Sequence, residues 1–569
     1  MKKTGFFKKA ASALLACLIG TAAFTSCGSD STSVKFWIYG SSDQLDMYTR
    51  LAEEFNRTYG AEHNINVITS QKPNGSYTQT VQVTAGSDNG PDVFVIYDND
   101  MKSWIIGQYM CDISSDVEAL TDIDLGDIME KTYGRLLYDI ETNTSNPGDA
   151  LYGLPLDSQP TALYYNETMF KNAGIIVISV DEEDMDAWNA GEIADKNGQW
   201  KRDFPKLNGV KVPKKGFFRN ISPYYYNGNK TKAWEKPLES EVLVFNNRIA
   251  MNWDEVEDIS MIFTGKYNPK AGEEGKSNPV TKYGTEFGYF TEWWFNYGWS
   301  VGGDCLNDLT GSGDWNFSLL DPNPNYVVMK GTFTGRTGKV YQVGETIGFL
   351  DKMNILTVDG KDEVLVPDDY GDYYHAGTTD LAGIWSGITE EMAKEDPAIA
   401  EMPSTREAFQ RYLKLGAATT ADIDGESGLD ISPNPNVVTA RGSINYFFSQ
   451  ELAIVAQTSA YMADLSEQAR RRGFEWDVAP LAVYKRYADP ADPENDTVVA
   501  KGKQAGHSNA IAAVVRNGTT KKDKAVAFVK WVASPAGQLV RAKLGFFPNQ
   551  KSLIGEVEFK KGIAPKNVT

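Results

Sequence analysis

The alternation of apolar and polar positions divides the early chain into short strands and amphipathic helices. Val34–Tyr39, reading VKFWIY, is an apolar run of strand length. Gly40-Ser41-Ser42 makes a turn, and Asp43–Tyr59 then places Leu45, Met47, Leu51 and Phe55 at helical spacing. Ile65–Ile68 reads as a second strand and Tyr77–Ala85 as a second helix. Gly90-Pro91-Asp92 breaks the pattern before a third strand, Val93–Tyr97, which ends in Asp98-Asn99-Asp100. This β-α-β-α-β order predicts a parallel sheet that receives ligands at the carboxyl ends of its strands.

A second informative stretch is Tyr152–Ile175, YGLPLDSQPTALYYNETMFKNAGI. Gly153 and Pro155 punctuate its start, and Leu163, Tyr164 and Tyr165 favour a strand buried on both faces. Asn166 stands where a helix N-cap belongs, Met169 and Phe170 supply the first apolar turn, and Gly174 can stop the helix. A carboxylate, Asp157, and an amide, Gln159, precede this strand-to-helix passage, where a crevice for a polar ligand forms in α/β proteins.

With 569 residues the chain exceeds what a single core serves, so more than one lobe is expected. The net charge of −20 excludes nucleic acid as a partner, because that demands basic patches. The three histidines, His63, His375 and His507, lie far apart, with no HExxH and no His/Cys pair at zinc spacing. No metal and no cofactor are therefore expected. Asp422, Asp424 and Glu426 suggest a calcium loop, but the acid that closes an EF-hand is missing. Asp304–Asp314 and Asp489–Asp496 are further acidic loops. Cys111 and Cys305 are the only cysteines of the folded body, and their pairing is left open by the sequence.

Residues 1–26 have the build of an export signal: Lys2, Lys3, Lys8 and Lys9, then the apolar run Ala10–Phe24. Phe24-Thr25-Ser26-Cys27 resembles a bacterial lipobox, which implies cleavage before Cys27, diacylation of its thiol (palmitate among the chains) and a lipid-anchored protein on the extracytoplasmic face of the membrane. Gly28–Ser33, GSDSTS, extends the tether 27–33.

From Val34 to about Gly555, ordered segments resemble the extracellular solute-binding proteins of carbohydrate ABC importers, of the maltose-binding-like type. They include KFWIYGSS, EEFNRTYG, NGPDVFVIY, YGLPLDSQPTALYYNETMFKNAGI, NWDEVEDI, Glu292-Trp293-Trp294 with Gly302-Gly303, INYFFSQELAIVAQTSAYMAD, FEWDVAPL and AGHSNAIAAV with GFFPNQKSL. The resemblance implies an α/β, two-lobed, periplasmic-binding-protein-like (type II) fold. Each lobe is a mostly parallel sheet flanked by helices, with hinge strands between. Lobe one would comprise 34–151 and 475–545, lobe two 152–474, and 546–569 a C-terminal segment. Two regions depart from the family pattern, about 179–246 and 307–389, and read as elaborations of the second lobe. Gln450-Glu451 stand where relatives have Gly-Lys.

The implied function is capture of a sugar or oligosaccharide between the lobes and delivery, without chemistry, to ABC permease subunits by a monomer. Such a cleft needs aromatic faces for the C–H face of a pyranose and carboxylates or amides for its hydroxyls. The resemblance places Ser41, Ser42, Tyr97, Asp98, Asp157, Gln159, Glu292, Trp293, Trp294, Tyr461 and His507 there. Blander roles stand beside these: Asp98 as a helix cap, His507 as a satisfied polar residue, Trp37 as core. If Trp293 and Trp294 lie on a strand they face opposite ways, so one of them is expected in the cleft. A secreted glycoside hydrolase is the alternative from another class; it would need two carboxylates ~5–9.5 Å apart. A binding protein for a non-sugar polar solute is a third reading.

Overall fold

The computed structural model describes residues 32–555 apart from 41, 98–99, 119–125, 221–241, 265–266, 268–286, 304–305, 309–314, 318–320, 322, 336, 353–354, 359–360, 368–372, 380–397, 417–427, 434–437 and 439–441. Cys27, Ser41, Asp98, Cys305 and the Asp422–Glu426 loop lie outside these residues.

The opening alternation folds as the pattern dictates. Strands β1 (Ser33–Ile38), β2 (Asn66–Gln71) and β3 (Val93–Tyr97) are parallel, with Ser33 opposite Asn66 and Phe36 opposite Val93. The helix Ser42–Arg57 buries Met47, Tyr48, Leu51 and Phe55 against them. Each such apolar side chain contributes about 1.5–3 kcal/mol. Phe55 and Phe36 meet Phe528 of the helix Lys522–Ala533 edge-on at 5.1 and 5.0 Å, so the end of the chain closes the core begun by its start. The sheet runs β2-β1-β3, then Ile511–Val515, then β4 (Leu154–Pro155), and its last two strands are antiparallel to their neighbours.

A separate core belongs to a second sheet: Trp476–Ala479, then β5 (Gln159–Asn166), Leu452–Thr458 and Phe287–Phe290. This sheet is mixed. Only Leu452–Thr458 and Phe287–Phe290 pair in parallel, because β5 enters from the first lobe and runs against both its neighbours. The helix Trp253–Ile262 packs on it, started by the reciprocal cap of Asn252 and Glu255. Gly288 is required here, since a Cβ would lie 2.2 Å from Cα of Ser260. Asn166 caps the helix Glu167–Asn172 by accepting from the Met169 N–H at 2.9 Å.

The chain crosses between the lobes in two paired segments: β5 begins beside Ser508–Asn509, with Gln159 opposite Asn509. The return to lobe one is later than the expected 475. Trp476–Ala479 hydrogen-bonds to β5, Leu481 and Ala500 pack in the second core, and the first core resumes at Ile511. Likewise Leu154 and Leu156, expected in lobe two, pack in the first core. Pairing with distant strands decides both boundaries.

The segment 178–249 builds its own small core, with Trp188, Leu207 and Val212 packed with the strands Ile176–Ile178, Phe217–Arg219 and Leu243–Asn246. In 307–389, Val340–Gln342 and Lys361–Pro367 form strands. Among the described residues no helix is long and apolar enough to cross a membrane, and no His/Cys/Asp/Glu cluster could hold a metal ion. Cys111 is a free thiol that donates to the Arg516 carbonyl, and burial raises its pKa.

Candidate functional site

A cleft of about 710 Å³ opens where the lobes meet, lined from lobe one by Gln44 and Tyr97 and from lobe two by Glu292, Trp293, Ser443, Gln457 and Tyr461. The crossing segments supply Gln159 and Asn509. Each side chain has a local reason for its place. Tyr97 ends β3 and lies edge-on to Tyr39 at 5.8 Å; burial first, then nearby Asp157, raises its pKa. The turn before Gln44 passes through Gly40 at φ +147°, where a Cβ would lie 2.5 Å from the Gln44 amide oxygen. Tyr461 closes the turn Ser459–Tyr461 between the central strand and the helix Met462–Arg472, and is 38% exposed. Its pKa is raised by burial, then by Glu292 and Asp464. These phenols therefore stay protonated and able to donate at neutral pH.

Glu292 accepts from the Ser443 hydroxyl at 2.8 Å, which leaves acceptor capacity facing the cleft. His507 stacks on Trp293 with ring centroids 5.6 Å apart and joins a ring nitrogen to Asn509 Oδ1 at 2.6 Å. The Thr161 hydroxyl donates to the His507 carbonyl, tying this loop to β5. At the far end of the lining, Arg471 is paired with Glu467 at 2.6 Å. Rings, amides and carboxylates thus converge on one polar hollow, with the chemistry to hold a hydroxyl-rich solute.

Of the sequence-predicted residues, the structure gathers Tyr97, Gln159, Glu292, Trp293 and Tyr461 on the cleft. His507 supports it from behind Trp293. Ser42 starts the first helix. Asp157 is not on the cleft surface: it is 3% exposed, accepts from the Ile511 N–H at 2.9 Å and the Gln159 amide at 3.0 Å, and faces the Arg541 guanidinium at 3.5 Å. It belongs to the crossing, where a buried carboxylate needs a partner. Trp293 and Trp294 lie in a turn before the helix Phe295–Ser300 and not on a strand, so the alternation argument does not apply. Trp293 reaches the cleft while Trp294 packs on Phe295 and Phe409. Trp37 is core, 6% exposed, with the Lys72 ammonium 4.0 Å from its ring centre.

Sequence reasoning missed Gln44, Ser443, Gln457 and Asn509. Only Gln457 left a trace, as the one amide in the apolar run Leu452–Thr458. It also counts the G-x-S-x-G nucleophile elbow as missing, yet Gly298-Trp299-Ser300-Val301-Gly302 fits that pattern. Ser300 ends a helix instead of joining a strand to one, is 1% exposed, and its hydroxyl accepts from the Tyr484 N–H at 2.9 Å. Its role is to hold the returning chain, not to attack a substrate.

The family model of bacterial extracellular solute-binding proteins matches residues 41–190, a span that runs from lobe one through the crossing into lobe two. This stretch is similar to that family. Members of that family are extracellular and bind substrates rather than transform them. No curated protein matches the chain. Solved structures similar to it include an ABC substrate-binding protein from Listeria monocytogenes in complex with cycloalternan, at 11% identity over 95% of this chain and 85% of that one, TM-score 0.48. The GacH receptor of Streptomyces glaucescens, solved unliganded and with acarbose, is 13% identical over 93% and 82%, TM-score 0.46. UgpB of Mycobacterium tuberculosis, in complex with glycerophosphocholine, is 11% identical over 93% and 82%, TM-score 0.47.

Proposed function

We infer that the protein is the substrate-binding component of an ABC importer and captures a sugar or oligosaccharide in the interlobe cleft. It hands the solute unchanged to permease subunits. The observation that carries this reading is the lining: the rings of Tyr97, Trp293 and Tyr461 face a hollow furnished with Gln159, Glu292 and Asn509. Aromatic faces take the C–H face of a pyranose, and amides and carboxylates take its hydroxyls. Two separately cored lobes joined by two paired crossings suit closure about a hinge, as the handling of solutes by periplasmic binding proteins requires. The ligand favours the closed form only as far as it binds that form better.

The finer parts of the proposal are a lipid anchor at Cys27 and a monomeric state. Thermal shift and calorimetry over a panel of sugars test the main reading, with the recovered sugar analysed for new reducing ends. A ligand-dependent rise in Tm with intact sugar is the expected result. Release of reducing ends would establish a hydrolase instead. Binding confined to non-sugar solutes would overturn the carbohydrate assignment and leave the binding-protein reading.

A further inference from the structure

A second hollow, of about 590 Å³, lies in lobe two and shares no lining residue with the interlobe cleft. One wall is the passage from β5 through the helix Glu167–Asn172 to the strand Ile176–Ile178, which contributes Tyr165, Glu167, Ile175 and Val177. The other wall comes from residues 197–206, within the region that departs from the family pattern, and includes Phe204. This wall is fastened from below. Asp195 is 7% exposed, and its carboxylate accepts from the N–H groups of Ser179, Asn197 and Gln199 at 2.9, 2.9 and 2.8 Å. Leu207, fully buried, anchors the turn that follows Phe204. The hollow is therefore preformed, as small-molecule sites usually are.

Its floor is acidic. Asp477 stands opposite Tyr165 in the strand register, so the two buried side chains share a face. Burial first, and then Asp477, raise the Tyr165 pKa. Glu167, also buried, holds the Lys171 ammonium at 2.9 Å, and that ammonium reaches on to Glu475 at 2.6 Å. With Asp203 and Lys206 at the rim, four carboxylates face two ammoniums around the hollow.

We propose that this hollow is a second binding site, which takes a small organic cation: a protonated amine carried on an apolar body. Ile175, Val177 and Phe204 cover the body, and the surplus of carboxylate holds the ammonium by charge-assisted hydrogen bonds. An anion would meet the same surplus as repulsion. A metal ion is not served, because among the described residues no His/Cys/Asp/Glu cluster could hold one. The assignment does not depend on which solute the interlobe cleft takes.

The test is ligand-observed NMR of the full chain with three probes of one shape: 2-phenylethylammonium, 2-phenylethanol and phenylacetate. The cation should bind roughly tenfold more tightly than the alcohol, and phenylacetate most weakly. Asp477→Asn keeps an acceptor for the Val478 N–H and should erase the preference for the cation over the alcohol. Asp203→Asn, at the exposed rim, should weaken the cation about twofold and serves if the buried variant does not fold. Val177→Trp, which fills the hollow, should abolish binding of the cation and the alcohol alike. A cation bound no more tightly than the alcohol, a preference for phenylacetate, or no binding of the cation overturns the site. Cation binding that survives Val177→Trp in a protein of unchanged Tm overturns it as well, by placing the amine elsewhere.

Discussion

Replacing Asp157 separates a ligand contact from a structural hinge residue. Its carboxylate is buried and engages the Ile511 N–H, the Gln159 amide and the Arg541 guanidinium. Arg541 is 1% exposed, and its Nε already lacks a partner. Asp157→Ala would leave that guanidinium buried without its carboxylate, a loss of about 3–5 kcal/mol. Asp157→Asn keeps an acceptor for the Ile511 N–H and loses only the charge-assisted part, about 1.5–3 kcal/mol. The crossing is otherwise fastened to lobe one by Gln538 on the Leu156 carbonyl at 3.0 Å and Asn549 on the Pro155 carbonyl at 2.5 Å. The penalty should therefore appear in the unfolding of lobe one. Urea denaturation followed by tryptophan fluorescence gives the stabilities, and calorimetry with whichever sugar binds gives the affinity. The expected order of stability is wild type, Asn, Ala, with affinity changed much less than stability. A variant as stable as wild type that binds its ligand tenfold more weakly would refute the reasoning and return Asp157 to the ligand contacts.

Tyr461→Ala should weaken sugar binding by more than ~1 kcal/mol without loss of Tm, because a ring on the cleft is removed and no core is opened; unchanged calorimetric affinity would take Tyr461 out of the site. Glu255 is fully buried and its pKa is raised by desolvation, an effect that nearby Lys485 opposes. Its protonation thus favours the folded state. That contribution is complete below the ordinary value of 4.5 and is lost as pH rises through the raised folded value, so Glu255→Gln should flatten the fall of urea midpoint above pH 4.5; parallel curves for variant and wild type would contradict the shift. Cys27→Ala should move the protein from the membrane fraction to the soluble fraction, and a membrane-bound variant would count against the anchor.

What could be read from the sequence follows how local each determinant is. The parallel β1–β3 unit was legible because amphipathic spacing and turn residues act over a few positions, and the Asn166 cap because it reaches only to Met169. Asp157 was legible as a residue that matters and not as to why. A carboxylate before an aromatic strand looks the same whether its partner is a sugar hydroxyl or Arg541, which approaches from the other end of the chain. The same holds for Trp476–Ala479, whose local pattern is simply a strand, while its place in lobe two is fixed by pairing with β5. Asn509 is the extreme case: an ordinary polar residue that becomes part of the lining only because it pairs across from Gln159 at the crossing. A binding site built where two lobes touch is assembled from such long-range pairings. Its aromatic residues stand out in the sequence by their size, whereas the amides and carboxylates that orient a solute acquire their roles only when the crossing strands are in register.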